Sequence, residues 1–391
     1  MNNFNKYSEL SFFNFDQLYQ KSKEIDGSIE VFHLHQGKIA LEFEKKIKHW
    51  DAFEFPYQPH QHTSPLGVDL LREQIKEYLW SRFKLDVCIE QIMVTAGATH
   101  GLSIILHTII SPGDEVLILS PQWLFMKGVV VVAGGKAVEV PLFFELYQDK
   151  QVDIEEIITP FINKKTKAIY FNTPNNPTGI QLTRKQLMTL GGIAEKYNLY
   201  ILSDNAYEQY DYSAEGFIDI RQVYQLDDKF FSIFSFSKTN IMPGFRIGFS
   251  LIPKHLHTDV AKASLYTLYA LPTISQYMAY NALCDSILAV KNQRLIVDKA
   301  RKYTMENLAV PHSLSEGGFY TYLDFSNIIE RYSHTKIMNR FNARGVFLAP
   351  GEAFSQDGKN FARLCYSSVN IDKLTRAIPV INDIYEEMLK S

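Results

Sequence analysis

Short apolar runs rich in β-branched and aromatic residues alternate with longer segments of helical periodicity from about Ile92 onward. This alternation predicts a mostly parallel β-sheet covered by helices, and therefore an α/β fold. The predicted strands are residues 92–95, 116–119, 168–171, 199–202 and 231–234, and the predicted helices are residues 99–110, 123–132 and 183–197.

The pattern changes after about Leu271, where a long helical stretch covers residues 281–308. Residues 317–325 predict a strand, and shorter helices and strands follow to the C-terminus. We interpret this part as a second, smaller α+β domain, since a chain of 391 residues is long enough for two cores.

Polar residues stand directly after four of the predicted strands. In an open α/β sheet, ligands bind beyond the carboxyl ends of the strands, so these residues mark a candidate binding site. They are Gly97-Ala98-Thr99, the segment from Asn172 to Gly179 that contains Asn176, the pair Ser203-Asp204, and Ser235-Phe236-Ser237-Lys238.

The composition argues against several classes of protein. A net charge of -3 gives no electrostatic reason to expect nucleic acid or an anionic membrane as partner. The cysteines are far apart in the sequence and indicate neither a disulfide framework nor a zinc site. Four histidines have no carboxylate or thiol at a suitable spacing, so we expect no metal site and expect them to line a polar mouth of the active site. The cysteines are Cys88, Cys284 and Cys365, and the histidines are His33, His35, His60 and His62.

The hydropathy of the chain gives no sign of a targeting or membrane segment. The N-terminal residues lack the continuous apolar core of a signal peptide. The longest apolar runs, such as residues 128–135, are too short to cross a bilayer. We therefore expect a cytoplasmic protein.

The segment Ser235-Phe236-Ser237-Lys238, together with Arg246, is suited to a phosphorylated aldehyde. A lysine amine can form an imine with a carbonyl, while hydroxyls and a guanidinium can bind a dianionic phosphate. The segment resembles the Schiff-base segment of the class I/II aminotransferases, which use pyridoxal 5′-phosphate (PLP) on the fold-type-I scaffold. Matching motifs extend from about Gly37 to Arg363, nearly the whole chain.

The resemblance implies catalytic roles for Lys238, Asp204 and Tyr207. Lys238 would form the imine and then carry protons between the substrate α-carbon and the cofactor. Asp204 follows a predicted buried strand, where a carboxylate needs a positive partner, and the protonated pyridine nitrogen of PLP would be that partner. Tyr207 and Asn176 would both bind the 3′-oxygen of the ring, where hydrogen bonds tune the pKa of the imine.

The predicted phosphate site has two halves. Gly97-Ala98-Thr99 precedes an apolar helix, where N–H groups and the positive end of the helix dipole attract an anion. Ser235, Ser237 and Arg246 would form the other half. Trp123 matches the position where the family has an aromatic ring over the pyridine face, so it is predicted to stack there.

Substrate binding is expected to depend on Arg363, Gly37 and Asn176. Arg363 lies in the family's C-terminal Pro-Gly…Gly…Arg-Leu pattern, whose arginine forms a bidentate pair with the substrate α-carboxylate. Gly37 would lend its backbone to the same carboxylate. No second arginine lies in a motif that would mark a dicarboxylate pocket, and Phe15, Tyr57, Trp123 and the His33/His35 segment suggest an aromatic or mixed polar pocket.

Two segments depart from the family pattern. The usual Gly-x-Pro is replaced by His33-Leu34-His35-Gln36-Gly37-Lys38. In residues 61–67, His62 takes the place of a tyrosine that in the family crosses to the phosphate of the neighbouring subunit. Tyr57 is near enough in sequence to substitute, and both alternatives stay open. The family implies a homodimer with shared active sites.

These observations predict an aminotransferase of amino acid metabolism that moves an amino group between an L-amino acid and a 2-oxo acid by ping-pong chemistry. The predicted domains are a large PLP-binding domain of residues 48–275 and a small domain of residues 1–47 and 276–391. A PLP-dependent lyase, cyclase or decarboxylase on the same fold would carry the same cofactor residues. A non-catalytic PLP-binding regulator would need an added DNA-binding domain, for which the chain has no room.

Overall fold

The computed structural model describes residues 15–40 and 60–391. Its strands are β1 (Phe32–His33), β2 (Ile92–Thr95), β3 (Glu115–Leu119), β4 (Lys136–Val140), β5 (Thr166–Asn172), β6 (Tyr200–Asp204), β7 (Phe230–Ser235), β8 (Gly248–Leu251), β9 (Tyr320–Asp324), β10 (Val346–Phe347), β11 (Ala349–Pro350) and β12 (Phe361–Cys365). Its helices are α1 (Phe15–Lys23), α2 (Asp69–Phe83), α3 (Ala98–Ile109), α4 (Met126–Val132), α5 (Leu142–Gln148), α6 (Ile154–Ile158), α7 (Arg184–Tyr197), α8 (Phe236–Thr239), α9 (His257–Thr267), α10 (Thr273–Asn307), α11 (His334–Ala343) and α12 (Ile371–Lys390).

Strands β2 to β8 form a seven-stranded sheet within the described residues, in the order β2-β8-β7-β6-β5-β3-β4. Strand β8 runs antiparallel to β2 and β7, and the other neighbouring strands are parallel. The predicted α/β fold with a mostly parallel sheet is confirmed. The pattern did not reveal β4, a partly exposed edge strand, or β8, whose sequence Gly-Phe-Ser-Leu includes two small residues.

Both faces of this sheet are buried, because consecutive residues of a strand point to opposite faces. Ile169 and Ile201 belong to one apolar cluster, which includes residues of α5, α6 and α7. The residues that follow them, Tyr170 and Leu202, belong to a second cluster with α3 and α4. The sheet is therefore the central layer between two layers of helices, and its strand ends form a rigid edge for a site.

The C-terminal part of the chain contains a three-stranded antiparallel sheet, β11-β12-β9, in the described residues. Helix α12 buries Leu374, Ile378, Ile381 and Tyr385, which recur at helical spacing, in the same apolar cluster as residues of β9 and β12. Strand β1 pairs in parallel with β10, so residues near the N-terminus pack on this part. The proposed domain boundary at 47/48 lies outside the described residues, and that at 275/276 stays a prediction.

Two helices begin at other residues than predicted. Helix α4 begins at Met126, three residues after the predicted start at residue 123. The backbone N–H of Gln122 donates to the carbonyl of Phe354, and this contact holds the preceding segment outside the helix. Helix α10 begins at Thr273, directly after Pro272, eight residues before the predicted start. Its first turns contain the polar side chain of Gln276, which is buried and accepts from the N–H of Val68 at 2.8 Å. Across the described residues, helices long and apolar enough to cross a membrane are absent.

Candidate active site

Strand pairing brings the separate polar segments of the sequence to one edge of the large sheet. Gly248 lies between Thr95 of β2 and Ser235 of β7 in the register of the sheet. A Cβ atom at Gly248 would lie 2.6 Å from the carbonyl oxygen of Phe234 and 3.1 Å from Cα of Gly97. Only glycine allows this approach, which sets the residues after β2 beside those after β7.

The two predicted halves of the phosphate site lie together at this edge. Gly97 precedes α3 with a φ of +81°, and a Cβ atom there would lie 2.7 Å from Nη2 of Arg246. Arg246 is exposed, and its Nη1 donates to the carbonyl of Pro243 at 2.8 Å. Ser235 caps α8 by accepting from the N–H of Ser237 at 3.2 Å. The N-terminus of α3, Ser235 and the guanidinium of Arg246 therefore lie at the same edge of the sheet, with Ala98 partly exposed and Thr99 exposed.

Lys238 projects from the single-turn helix α8. Its amine donates to the carbonyl of Gly37 at 2.8 Å. Burial lowers the pKa of Lys238 to about 8, and the positive charges of Arg363 and Arg246 act in the same direction. About a tenth of this amine is therefore neutral at pH 7, far more than for an ordinary lysine, and only a neutral amine is a nucleophile or a base.

Asp204 ends β6 and is buried. Its carboxylate accepts from the hydroxyl of Tyr170 at 2.9 Å and from the N–H of Ala206 at 3.1 Å. Burial raises the pKa of Asp204 to about 6, against the effect of these two hydrogen bonds. No salt bridge to Asp204 is found within residues 15–40 and 60–391. This buried carboxylate is arranged to accept a positive partner.

Arg363, in strand β12, connects to the segment after β5 and to the segment after β1 through buried hydrogen bonds. Its Nη1 donates to Oδ1 of Asn176 at 2.7 Å, and its Nη2 donates to the carbonyl of His35 at 2.7 Å. Nδ2 of Asn176 donates to the hydroxyl of Tyr207 at 3.2 Å. Arg363, Asn176 and Tyr207 are thus brought together, as the sequence predicts for residues around one ligand.

Tyr320 is a residue of this site that the sequence reasoning missed. Its hydroxyl lies 3.0 Å from that of Tyr207, and its ring lies 4.4 Å from the guanidinium carbon of Arg363. A Cβ atom at Gly37 would collide with the same hydroxyl, so glycine is required there. The alternating aromatic residues of Gly317-Gly318-Phe319-Tyr320-Thr321-Tyr322 were the available signal, but they indicated only a strand.

The histidines near the N-terminus differ from expectation. His35 is fully buried, so the prediction that it lines a polar mouth is wrong. Burial lowers the pKa of His35 to about 3, and the imidazole is therefore neutral, the form that can be buried at low cost. His33 is partly buried, and its ring centroid lies 5.5 Å from that of His35.

Other predicted residues lie at the periphery or outside the described residues. Trp123 is partly buried and makes an edge-to-face contact with Phe125 at 5.4 Å between ring centroids. His62 is exposed, and its ring centroid lies 4.9 Å from that of Tyr269. Tyr57 lies outside the described residues, and so does the side chain of Phe15.

Comparison with known proteins agrees with this arrangement. The sequence profile of the family "Aminotransferase class I and II" matches residues 58–381. The chain is 32% identical to an aspartate aminotransferase of Thermotoga maritima over 83% of each chain. It is 31% identical to aromatic-amino-acid aminotransferase 2 of Thermococcus litoralis over 95% of each chain.

The fold also agrees with that of a solved family structure. A double mutant of Thermus thermophilus aspartate aminotransferase superposes with a TM-score of 0.87 at 25% sequence identity, covering 98% of this chain and 100% of the other. The fold is therefore that of fold type I, and the predicted amino-group transfer is confirmed at the level of the family. The family in turn implies PLP. This chain belongs to the class I and II aminotransferases and is an aminotransferase.

Proposed function

We propose that this aminotransferase binds PLP between the end of the large sheet and Arg363, and that Lys238 is the residue that attaches it. The observation that carries this proposal is the close approach of Gly97 to Arg246, which leaves a cradle that a single Cβ atom would fill. The donor set also fits the cofactor, because N–H groups, hydroxyls and a guanidinium suit a dianionic phosphate.

The proposed cofactor contacts follow the chemistry of each side chain. Gly97, Ala98, Thr99, Ser235, Ser237 and Arg246 would hold the phosphate. Asp204 would hold the pyridine nitrogen, while Asn176 and Tyr207 would hold the 3′-oxygen and Trp123 would cover the ring face. The chemistry that PLP supplies when bound is an electron sink for the pair released when the substrate Cα–H bond breaks.

The chain's own residues would move the proton and hold the substrate. Lys238, with a pKa of about 8, is able to accept a proton from the α-carbon and return it. Arg363 would exchange its present partners, Asn176 and the carbonyl of His35, for the α-carboxylate, which matches the guanidinium fork. The backbone of Gly37 would lie beside the same carboxylate.

We further propose that the preferred amino donor has an aromatic side chain. The guanidinium carbon of Arg363 lies 4.4 Å from the ring centroid of Tyr320 and 4.7 Å from that of Phe354. Trp123 and Phe125 add two rings near the end of β3. Rings of this kind bind another ring by stacking and edge-to-face contacts. The relative from Thermococcus litoralis is named for aromatic amino acids, whereas that from Thermotoga maritima is named for aspartate.

A panel of ¹⁵N-labelled donors with pyruvate and 2-oxoglutarate as acceptors tests both parts of this proposal. We expect ¹⁵N in the product amino acid, and kcat/KM for phenylalanine and tyrosine at least about tenfold above that for aspartate. A higher kcat/KM for aspartate would contradict the aromatic preference alone. Transfer without any requirement for PLP would contradict the proposed cofactor.

We also propose that the enzyme is a homodimer whose subunits share active sites. The segment after α9 presents several large apolar side chains to solvent, with Tyr266 84% and Tyr269 57% exposed. Leu268 and Ile274 are exposed close to them in the chain, and His62 contacts Tyr269. A cluster of exposed apolar residues is typical of a protein interface, and a second copy of the chain would cover it.

In such a dimer, His62→Ala is expected to speed PLP dissociation about tenfold, because an imidazole N–H that donates to a phosphate is lost. Tyr57→Phe is the matched variant and should retain PLP as the parent enzyme does. Both rates are measured by dilution of the loaded enzyme, and the oligomeric state by sedimentation. Faster dissociation in the tyrosine variant only, or a fully active monomer, would contradict this assignment.

A further inference from the structure

Glu208 and Thr239 directly follow two residues of the proposed site, Tyr207 and Lys238, and they are hydrogen-bonded to each other. Oε1 of Glu208 accepts from the hydroxyl of Thr239 at 2.9 Å. Both residues are buried, with exposed fractions of 5% and 3%. A side-chain hydrogen bond thus joins the turn after β6 to helix α8.

The same carboxylate oxygen also connects the site to helix α2. Oε1 of Glu208 accepts from the hydroxyl of Tyr78 at 3.0 Å. The amide of Gln209 donates to that hydroxyl, and Arg82 donates to Gln209. One carboxylate oxygen therefore bonds both α2 and α8, while the backbone of Glu208 is held in the turn after β6, where its N–H donates to the carbonyl of Asn205 at 3.2 Å.

A carboxylate is a costly residue at this place. Burial raises the pKa of Glu208 to about 7, and its Oε2 has no hydrogen-bond partner in the described part of the chain. Burying an acid with one unsatisfied oxygen costs free energy that an apolar side chain of similar size would not. What the carboxylate provides in return is the pair of hydrogen bonds that Oε1 accepts from Tyr78 and Thr239.

We propose that Glu208 is a positioning residue for Lys238, which it holds in place through the hydroxyl of Thr239. The inference rests on the proposed role of Lys238. An amine that attaches a cofactor and transfers protons needs its atoms held to within a fraction of an ångström. Helix α8 is a single turn, and the other restraints on Lys238 are a hydrogen bond of 3.2 Å from the hydroxyl of Tyr210 to its carbonyl and that of its amine to the carbonyl of Gly37.

Two variants, each of which removes one of the hydroxyls that donate to Oε1 of Glu208, distinguish an effect on the position of Lys238 from an effect on the stability of the fold. Thr239→Val breaks the connection to Lys238, whereas Tyr78→Phe breaks the connection to α2 and leaves Thr239 bonded. We expect Thr239→Val to lower kcat about tenfold with an unchanged KM, because a slightly misplaced amine transfers protons more slowly while substrate binding is unaffected. Tyr78→Phe is expected to lower the melting temperature with little change in kcat.

The second readout uses the cofactor-free protein. The pH dependence of amine labelling, followed by peptide mass spectrometry, gives the pKa of Lys238, with the exposed Lys262 as an internal reference. Thr239→Val is expected to raise the pKa of Lys238 towards that of an ordinary lysine, because a loosened amine becomes hydrated. Tyr78→Phe should leave this pKa unchanged.

Several outcomes would overturn the proposal. Equal effects of the two variants on kcat and on the lysine pKa would show that the bond between Glu208 and Thr239 has no specific role in positioning, and no effect of Thr239→Val would remove the route from Glu208 to Lys238. If the valine variant does not fold, Thr239→Ser and Thr239→Ala make the same comparison, since only serine keeps the hydroxyl. Borohydride labelling of the parent enzyme at another lysine would instead defeat the proposed function.

Discussion

Replacing Lys238 with alanine is expected to lower transamination at least about a thousandfold, because the variant loses both the amine that attaches the cofactor and the group that moves the proton. The parent protein should be yellow when loaded with PLP, and borohydride should fix the cofactor on Lys238. The variant should still bind PLP through its phosphate contacts. Steady-state turnover, absorbance and peptide mapping after reduction measure these effects.

Lys262→Ala is the matched control for this experiment. Lys262 lies on α9, and its side chain is 60% exposed and paired only with Asp259 among the contacts described. Its removal should change neither turnover nor labelling. A reduced, cofactor-bearing peptide that contains any lysine other than Lys238 would contradict the assignment.

Asp204→Asn is expected to lower turnover about a hundredfold or more, since it keeps the shape of the side chain but removes the charge proposed to hold the pyridine nitrogen protonated. Tyr170→Phe removes a hydrogen bond of 2.9 Å from the same carboxylate and keeps the charge, so it should have a much smaller effect. Near-normal turnover of the asparagine variant would mean that Asp204 does not face the ring.

The same variant should change how stability depends on pH in the cofactor-free protein. The pKa of Asp204 is raised from 3.8 to about 6 in the folded state, so the folded state holds its proton more tightly. The resulting stabilisation is complete below pH 3.8 and is lost as the pH rises through about 6, by up to about 3 kcal/mol. Asparagine does not titrate, so the melting temperature of Asp204→Asn should rise relative to the parent between pH 4 and pH 7. A constant difference would contradict a raised pKa of Asp204 in the folded state.

Five of the seven strands of the large sheet were predictable because their sequence signals are local. Ile92–Thr95 and Phe230–Ser235 are apolar runs at buried strands, and the residues after them are polar. Local patterns fail where tertiary contacts override them. Gln276 belongs to the start of α10 although it is polar, because the backbone of Val68, more than 200 positions earlier, supplies its partner.

The motif residues themselves were readable for the same reason. One short segment contains Ser235, Ser237, Lys238 and Arg246, so their residue types and spacing can be recognised without knowledge of the tertiary structure. Tyr320 was missed because its importance depends on contacts with Tyr207 and Arg363, which lie in other segments. A tyrosine within an apolar strand has no local feature that distinguishes a site residue from a core residue.

The amino-acid sequence by itself determined the α/β fold, the strand ends at which the chemistry lies and the identity of Lys238, Asp204, Asn176 and Arg363 as candidates. Tertiary structure alone decided that Gly97 approaches Arg246, that the carbonyl of Gly37 accepts from Lys238, and that His35 is buried. It also decided that Glu208 bonds Thr239. Periodicity and turn chemistry act over a few residues, whereas these distances depend on strand register and on packing between segments far apart in the chain.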